Sequence, residues 1–508
     1  MPEMSADAAP SASTTKLPQV LGPVDGAVIA MSNTAPTMSI GIGMGVIAGI
    51  VDGRTPAIVL LAFLPILGIA SAYARLNRVE RNLGNGYVWV GRALSPFLGF
   101  QVGWIQIVGS TLYLAYGSQV CGSMLLRFAN EAHLRSVFGL ALDPLSISLS
   151  TVLGVLVLLL VSYAAIRGAD VAARFQTYLI VFEYAVLLGF CGYALFAGHH
   201  AFSLGWFNPF GFDSVSVLAA GLVVSVYIFW GWDSVFAVTE ETRDPRDAAR
   251  AGYSSLFLML GMFLLAAVSF GRMFSVPEMA AHAPQLLPYL GQRLASEPLA
   301  ALPLLALLCS SVASLQAGVL PVARNTLAMG RDQTLGRIWT RLHPRYATPA
   351  IGTLLVTGIA ATLASLAIGI GTLNQVVAAA ATSIGTLVSL YYALCGLACA
   401  VRFADRLRAG VLPALRDVVI PALSAVVLLT LGGYLTYHNW TTSPSFALDA
   451  TNGRFLASVP VAILVAGLCF SAWAKWGRRA AFFRGAIGET PAGLDPAEGP
   501  APAPAQAG

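Results

Sequence analysis

Long apolar runs separated by short polar segments dominate the chain. A membrane-spanning helix needs about 20 mostly apolar residues, and more if it is tilted. Twelve runs reach this length, at residues 24–51, 57–76, 95–125, 146–166, 171–196, 215–239, 254–274, 299–329, 351–370, 373–401, 418–437 and 456–476. A further run, Leu286–Leu294, is too short to span and is expected to be a re-entrant or surface helix. The pattern predicts an all-α membrane protein with twelve transmembrane helices.

Composition and charge support this prediction and add an orientation. Only 10% of the residues are charged, against about 25% in a typical soluble domain. If both termini are cytoplasmic, six of the 29 basic residues fall in outer segments, namely Arg54, Arg127, Arg135, Arg272, Arg293 and Arg454. Because Lys and Arg concentrate in cytoplasmic loops, we expect a multi-pass protein of the cell inner (plasma) membrane with both termini cytoplasmic. The basic residues are spread over many loops, so no nucleic-acid partner is expected.

The two ends of the chain differ in composition from its apolar body. Residues 1–19 are rich in Ala, Pro and Ser and lack the basic-then-apolar order of a signal peptide. The end of the chain is rich in Pro, Ala and Gly and has little with which to form a core. We expect a disordered cytoplasmic N-terminus at 1–19, a twelve-span domain at 20–485 and a disordered cytoplasmic tail at 486–508.

Several chemistries are excluded by what the sequence lacks. Neither lysine, Lys16 or Lys475, follows a glycine, so the GxxxxGK phosphate loop is absent. No His-Glu pair begins an HExxH motif, and all six histidines fall in predicted loops. The six cysteines lie in apolar stretches, which favours small buried residues over a disulfide framework. We expect no enzymatic activity, no cofactor and no metal site.

Polar residues inside the apolar runs concentrate in the first and sixth runs, around Pro36 and Gly231. Proline removes a backbone donor and clashes with the carbonyl four residues earlier, and glycine is the residue at which a helix unwinds most cheaply. A broken helix persists at membrane depth only where it lines a cavity. Two breaks separated by four helices indicate an inverted-repeat secondary transporter with its site at the midplane. The simpler alternatives are a proline kink and, for Trp230 and Trp232, an interfacial position.

Glu183 is the only ionisable residue deep within the fifth run, and a charge at membrane depth indicates a functional site. Three roles are open to it: a proton carrier, a sodium ligand beside Ser310, Ser311 and Ser314, or an anchor for a cationic substrate. The structural alternative is a protonated carboxyl in a hydrogen bond between helices.

Four segments together resemble the amino acid–polyamine–organocation superfamily of permeases, over nearly all of residues 22–476. The first is GNGYVW at 84–89 with GFQVGW at 99–104, and the second is FWGWD at 229–233 leading to EETRDP at 240–245. The third is ARNTLAMGRD at 323–332, and the fourth is HPR at 343–345 with Thr348 and Pro349. The major facilitator class, the rival with twelve spans, would normally have a glycine–aspartate–arginine loop, and residues 77–92 contain no Asp.

The resemblance implies a leucine-transporter-like five-plus-five inverted repeat with helices 1 and 6 broken. Repeat one would cover about 24–196, repeat two about 214–401, and helices 11 and 12 about 418–476. Substrate would be held at Thr34, Ala35, Pro36, Thr37, Met38, Phe229, Trp230 and Gly231, with Tyr227 as a gating aromatic residue. Asp233 would contact a substrate amine or hydrogen-bond beside the break. Many permeases have a glycine–small–glycine run at the first break, where this chain has Ala35-Pro36-Thr37.

Two further residue sets follow from the resemblance. In many sodium-independent relatives a lysine lies seven residues after a loop glutamine, and Glu183 has that spacing from Gln176. Ion coupling would therefore involve Glu183 with Ser310 and Ser314. Gating ion pairs are expected at the inner face among Glu240, Glu241, Arg243, Asp244, Arg324 and Arg331.

Taken together, the sequence predicts a secondary active permease for an amino acid, biogenic amine or polyamine, coupled to protons and working by alternating access. Sodium-coupled or exchange transport of the same substrates is the nearest alternative. A permease-like sensor that does not transport is a second alternative. A channel is a third, although no rings of charged residues indicate a continuous pore.

Overall fold

The computed structural model describes residues 17, 19–134, 136–137, 140–282, 285–369 and 371–488. The expected disordered N-terminus, apart from Leu17 and residues from 19 onward, lies outside the described residues. So do residues 489–508 of the expected tail.

Helices form the body of the described chain. The first part contains α1 (Pro23–Thr34), α2 (Pro36–Met38), α3 (Met44–Val51), α4 (Thr55–Val79), α5 (Gly86–Ala93), α6 (Pro96–Glu131), α7 (Ile147–Arg167) and α8 (Ala169–Ala197). A π-helical segment, Ser39–Gly43, makes the helix continuous from α2 to α3. Two short strands, β1 (Ser136–Val137) and β2 (Leu140–Ala141), pair antiparallel between α6 and α7.

The second part of the chain is also helical. It contains α9 (Val215–Phe229), α10 (Ser234–Ala237), α11 (Asp247–Met273), α12 (Val276–Ala281), α13 (Leu286–Leu294), α14 (Leu302–Arg331), α15 (Ala350–Ala367), α16 (Leu373–Arg402), α17 (Val411–Ala414), α18 (Ile420–Thr442) and α19 (Gly453–Ala472). The short run at 286–294 is α13, a nine-residue helix that buries Leu286, Leu287 and Leu290 and is too short to span.

Ten helical stretches in the described part of the chain are long and apolar enough to cross a membrane. This number differs from the twelve predicted runs for two physical reasons. The first two runs are joined by a 3₁₀ turn, Asp52–Arg54, and therefore form one helical stretch, Pro23–Val79. The sixth run stops being helical at Phe229 after 15 residues, which leaves α9 below spanning length.

Burial separates central helices from peripheral ones. In α14 nearly every residue from Pro303 to Gly330 is buried, whereas α19 buries only Ala457, Pro460, Gly467 and Ser471. Large apolar side chains on α7, α8, α18 and α19 are exposed, as expected where the surroundings are lipid. α14 therefore lies at the centre of the bundle, and α19 lies at its periphery.

One end of the bundle is rich in arginine, and we call it the basic end; it contains Arg81, Arg243, Arg324 and Arg331. The other end, where α6 terminates at Glu131, is called the opposite end.

The segment that follows α19 packs against α5 at the basic end. Phe482 stacks on the ring of Tyr87 with centroids 4.5 Å apart, and Arg92 donates from Nε to the Ile487 carbonyl at 2.9 Å. The Gly488 amide donates to both carboxylate oxygens of Asp332, at 3.1 and 3.2 Å. Residues 486–488 were expected to begin the disordered tail, but Ile487 is buried. A single isoleucine fills the gap beside Tyr87, which composition alone does not reveal.

Asp332 lies just beyond the end of α14 and makes this packing sensitive to pH. Burial raises the pKa of its carboxyl to about 7, although the Gly488 amide, the Tyr87 hydroxyl, and the charges of Arg92 and Arg331 oppose that shift. When the segment detaches, water should restore the usual pKa of about 3.8. The packed state then holds the proton more tightly, so packing is strongest at low pH and weakens as pH rises toward and through 7.

We therefore expect the amides of residues 483–488 to exchange with deuterium faster at pH 8 than at pH 6, after correction for the intrinsic pH dependence of exchange. Asp332→Asn cannot titrate, so its corrected protection should be equal at the two pH values. Amides in the middle of α7 serve as the control in both proteins. Equal or greater protection at pH 8 in the wild-type protein would contradict this account.

Candidate functional site

The first helix break lies where the sequence has Pro36. α1 ends immediately before Ala35, which adopts a left-handed conformation with φ of 51° and ψ of 68°. A left-handed residue with a side chain costs about 1–2 kcal/mol, so the surroundings must hold it. Its N–H donates to the carbonyls of Met31 and Ser32, and its carbonyl accepts from the N–H of Ser39. The helix is interrupted at one residue whose own backbone keeps its hydrogen bonds.

The second break follows α9 and lies against the first. Trp230 is extended and Gly231 has a φ of +117°. A Cβ on Gly231 would lie 2.7–2.8 Å from backbone atoms of Asn33 and Thr34. Only glycine satisfies both that φ and that approach. The side-chain amide of Asn33 also donates to the Gly231 carbonyl at 3.3 Å, so the two breaks are in direct contact.

A cavity of about 450 Å³ extends from the breaks toward the opposite end of the bundle. Its walls come from the two broken helices and from α6, α12 and α16. The lining is mainly apolar, with Ile42, Val46, Val120, Met124 and Val224 among its side chains. Its size and character are those of a site for a small amphipathic molecule.

Half of the predicted substrate residues line this cavity: Thr34, Ala35, Met38, Tyr227 and Trp230. The remaining five do not line it: Pro36, Thr37, Phe229, Gly231 and Asp233. Phe229 is fully buried between Phe63 and Phe263, with centroids 5.8 and 4.9 Å from its own. It points into the core because successive residues of a helix turn to different sides.

Three residues of α6 that the sequence did not single out also line the cavity. Tyr113 and Tyr116 lie three residues apart on α6, and the Tyr113 ring meets Trp230 edge-on at 5.9 Å. Arg127, near the end of α6, also lines the cavity and had been interpreted only as an outer-loop charge. The spacing of the tyrosines was a usable signal, but α6 also carries polar residues such as Gln106, Ser110 and Gln119, and the sequence pattern does not identify which side of the helix faces a cavity.

Asp233 is turned away from the cavity and holds Trp230 in place. Its carboxylate accepts from the hydroxyls of Tyr391 at 2.9 Å and Tyr392 at 3.0 Å. The indole Nε1–H of Trp230 donates to the Tyr391 oxygen at 2.7 Å. Of the two roles considered for Asp233, the geometry is that of hydrogen bonding beside the break. Asp233 also borders a second, polar cavity of about 30 Å³, just large enough for a water molecule.

Glu183 lies on α8 in a polar cluster beside the first break. The Thr37 hydroxyl donates to its Oε2 at 2.9 Å. Met38, the residue after Thr37, donates its backbone N–H to the Ser310 hydroxyl at 3.3 Å. The Ser314 hydroxyl donates to the Ser311 carbonyl of its own helix at 3.0 Å, and its part in ion coupling stays a prediction.

The Glu183 carboxyl has no ion pair among the described residues. The side chain is fully buried, and its Oε1 has no hydrogen-bond partner in the described part of the chain. It does not line the cavity, so direct anchoring of a ligand in that cavity is not supported by this geometry. A charged carboxylate buried in this way is costly. A proton on the carboxyl or a cation bound beside it would remove that cost.

Ion pairs close the basic end of the structure. Arg324 donates to both carboxylate oxygens of Glu241, at 2.9 and 3.2 Å, and both side chains are almost completely buried. Arg331 pairs with Glu240 at 3.0 Å. Arg81 adds a hydrogen bond from its Nε to the Thr239 carbonyl at 2.6 Å. Of the six residues expected to form gating ion pairs, four do so: Glu240, Glu241, Arg324 and Arg331.

The other two expected gating residues, Arg243 and Asp244, make hydrogen bonds that involve backbone groups. The N–H of Arg243 donates to the Leu21 carbonyl, and the N–H of Leu21 donates to the Glu241 carbonyl, both at 2.9 Å. The Asp244 carboxylate accepts from the backbone N–H of Arg246 at 2.7 Å. The start of α1 is therefore tied to the segment that leaves the second break.

Sequence comparison with known proteins identifies the family of this chain. The sequence profile of the family described as amino acid permease matches residues 26–470. The low-affinity putrescine importer PlaP of Escherichia coli K12 is 26% identical over 372 residues, covering 70% of this chain and 77% of PlaP. The methylthioribose transporter of Bacillus subtilis is 25% identical over 369 residues, covering 69% and 76%. The branched-chain amino acid permease BcaP of Lactococcus lactis is 25% identical over 359 residues, covering 66% and 72%.

The matched region contains both breaks, the cavity, the Glu183 cluster and the basic-end ion pairs. The three relatives are named as an importer, a transporter and a permease. Because the family profile covers most of the chain, this protein belongs to the amino acid permease family and is a multi-pass membrane transporter, not an enzyme.

Proposed function

We propose that this chain is a secondary active transporter that moves an amino acid or a biogenic amine across the cytoplasmic membrane by alternating access. The observation that carries the proposal is a cavity between two contacting helix breaks, which extends to one end of the bundle and is closed at the other. The names of the relatives supply the substrate class, since PlaP is named for putrescine and BcaP for branched-chain amino acids.

The proposed architecture has twelve crossings in a leucine-transporter-like five-plus-five inverted repeat. In this proposal Pro23–Val51 is one crossing despite its break, α4 is the second, and α9 with α10 is the sixth. The first repeat runs from α1 to α8 and the second from α9 to α16, followed by α18 and α19. The concentration of arginine at the basic end supports a cytoplasmic position for that end and for both termini.

Alternating access is the transport mechanism that best fits a cavity that extends to one end of the bundle and is closed at the other. With the basic end sealed, a ligand would enter from the opposite end and reach the breaks. Release to the cytoplasm would require Arg324 to part from Glu241 and Arg331 from Glu240. Those charges would be rehydrated as the path opens, which offsets the loss of the ion pairs.

We propose that Glu183 carries the coupling proton. Its hydrogen-bond donor Thr37 belongs to the first break, so a ligand that shifts the break acts on the carboxyl through a single hydrogen bond. Sodium coupling is the competing proposal, because Thr37 and Ser310 bring further oxygen atoms to the same cluster. Exchange without net coupling and a sensor that binds without transport are the remaining alternatives.

The first test replaces Glu183 with glutamine, which preserves shape and removes the titrating group. In proteoliposomes that contain the full chain, the uptake of Glu183→Gln should no longer respond to an imposed pH gradient, whereas exchange of internal and external substrate should continue. The exposed carboxyl Asp213 serves as control, and Asp213→Asn should keep the wild-type response.

A normal pH response in Glu183→Gln would exclude Glu183 as the proton carrier. Wild-type uptake driven by a sodium gradient at constant pH would favour the competing coupling proposal. A wild-type chain that binds substrates but mediates neither uptake nor exchange would be a sensor.

The second test concerns Trp230. Its ring and those of Tyr113 and Tyr227 line the cavity, and an aromatic face attracts an ammonium group by about 0.5–2 kcal/mol. Trp230→Ala should weaken substrate binding at least several-fold, as measured by the apparent affinity of uptake, without loss of membrane insertion. Trp476→Ala removes an exposed tryptophan at the end of α19 and should leave that affinity unchanged. An unaltered affinity in Trp230→Ala would remove this residue from the binding site.

A further inference from the structure

The lining of the cavity carries charge of one sign. Arg127 is the only charged side chain among the described residues that line it. Of the two nearby buried carboxyls, Glu183 accepts from Thr37 and Asp233 accepts from two tyrosine hydroxyls, and neither lines the cavity. Glu131, the only acidic residue of α6, follows Arg127 by one helical turn and also does not line it. A ligand that enters this cavity meets a positive charge and no lining carboxylate.

Arg127 lies at the mouth of the cavity, far from the breaks. It follows Tyr113 by fourteen residues on α6, which corresponds to about 21 Å at 1.5 Å per residue. Its Nε is buried and has no hydrogen-bond partner in the described part of the chain. A charge of one sign in a cleft with low-dielectric walls concentrates ligands of opposite charge and repels those of like charge. Glu131 interacts with Arg127, and Glu297 lies near Glu131, so these two carboxylates reduce the long-range field of Arg127. Neither carboxylate lines the cavity, so Arg127 is the charge that an entering molecule contacts directly.

The deep end of the cavity accommodates one ammonium group but not two. The rings of Tyr113, Tyr227 and Trp230 present faces and edges around the breaks, and aromatic faces attract one cation. A second ammonium at the far end of a diamine would meet apolar side chains such as Val120 and Met124. Burial of a charged group without a partner is strongly unfavourable. The apolar middle of the cavity suits the side chain of an apolar amino acid instead.

From these observations we infer that the substrate is a zwitterionic amino acid with an apolar side chain, and that Arg127 is a specificity residue that excludes diamines and cationic amino acids at the mouth. This inference rests on the transport function proposed above and narrows its substrate class. It distinguishes this chain from PlaP, whose name assigns it putrescine.

The test is uptake of a labelled panel by proteoliposomes that contain the full chain. The panel pairs apolar amino acids with the amines that lack their carboxylate, such as leucine with isopentylamine, and adds lysine and putrescine. At least one apolar amino acid should be taken up at least about tenfold faster than its amine or putrescine, the lower end of the effect of a charged cleft. High salt should narrow this ratio, since it screens the charge at the mouth.

Substitutions at Arg127 and at a control arginine distinguish a specific effect of Arg127 from a general effect of surface charge. Arg127→Gln should reduce the ratio of amino acid to putrescine uptake several-fold, and Arg127→Lys should retain the ratio because it keeps the charge. Arg54 lies outside the cavity and pairs with Asp213 at 3.8 Å, so Arg54→Gln should behave as the wild type. Each variant is first checked for a monodisperse profile in detergent.

Uptake of putrescine or lysine at the rate of the best apolar amino acid would overturn the inferred substrate class. If well-folded Arg127→Gln kept the wild-type ratio of amino acid to putrescine uptake, the proposed role of Arg127 in specificity would be overturned. A wild-type chain that transports no member of the panel would contradict the proposed function itself, which distinguishes that failure from the other two.

Discussion

The centre of this protein depends on the contact of Gly231 with the backbone of Asn33 and Thr34. An interrupted helix at membrane depth exposes peptide groups that lipid cannot hydrogen-bond. In this structure the two interruptions lie against each other, and Asn33 supplies a side-chain donor to the Gly231 carbonyl. A methyl group at position 231 would prevent that approach. The cavity begins at this contact, since Asn33, Thr34 and Trp230 are among the residues that line it.

The seal at the basic end follows from the same arrangement. The start of α1 is joined through Leu21 to the segment that contains Glu241 and Arg243, so the two segments on the basic-end side of the breaks form one unit. Glu241 then attaches this unit to α14 through Arg324. Since α14 also carries Ser310, the same helix contacts both the seal and the Glu183 cluster. A structural link therefore exists between the Glu183 cluster and the closed end.

The sequence predicts features that depend on a single residue or its neighbours better than features that depend on residues far apart in the chain. Pro36 and Gly231 interrupt helices through their own covalent structure, so both breaks are predictable. The ion pairs at the basic end were also predicted, because their residues carry the resemblance to known permeases. The orientation of Asp233 was not predictable, since it depends on two tyrosines about 160 residues away. Arg127 was misinterpreted as a loop charge because helix ends are uncertain by a turn when read from hydrophobicity.

The packing of the segment after α19 on α5 has a consequence for biosynthesis. Arg92 and its partner Ile487 are 395 residues apart in sequence. At the usual 5–20 residues per second, about 20–80 s pass between the synthesis of the two. Throughout that interval Tyr87 lacks the ring of Phe482 that covers it in the finished protein. The packing of this segment on α5 is thus a late event that follows the synthesis of α19, whereas the ion pairs of the basic end join residues that are made earlier.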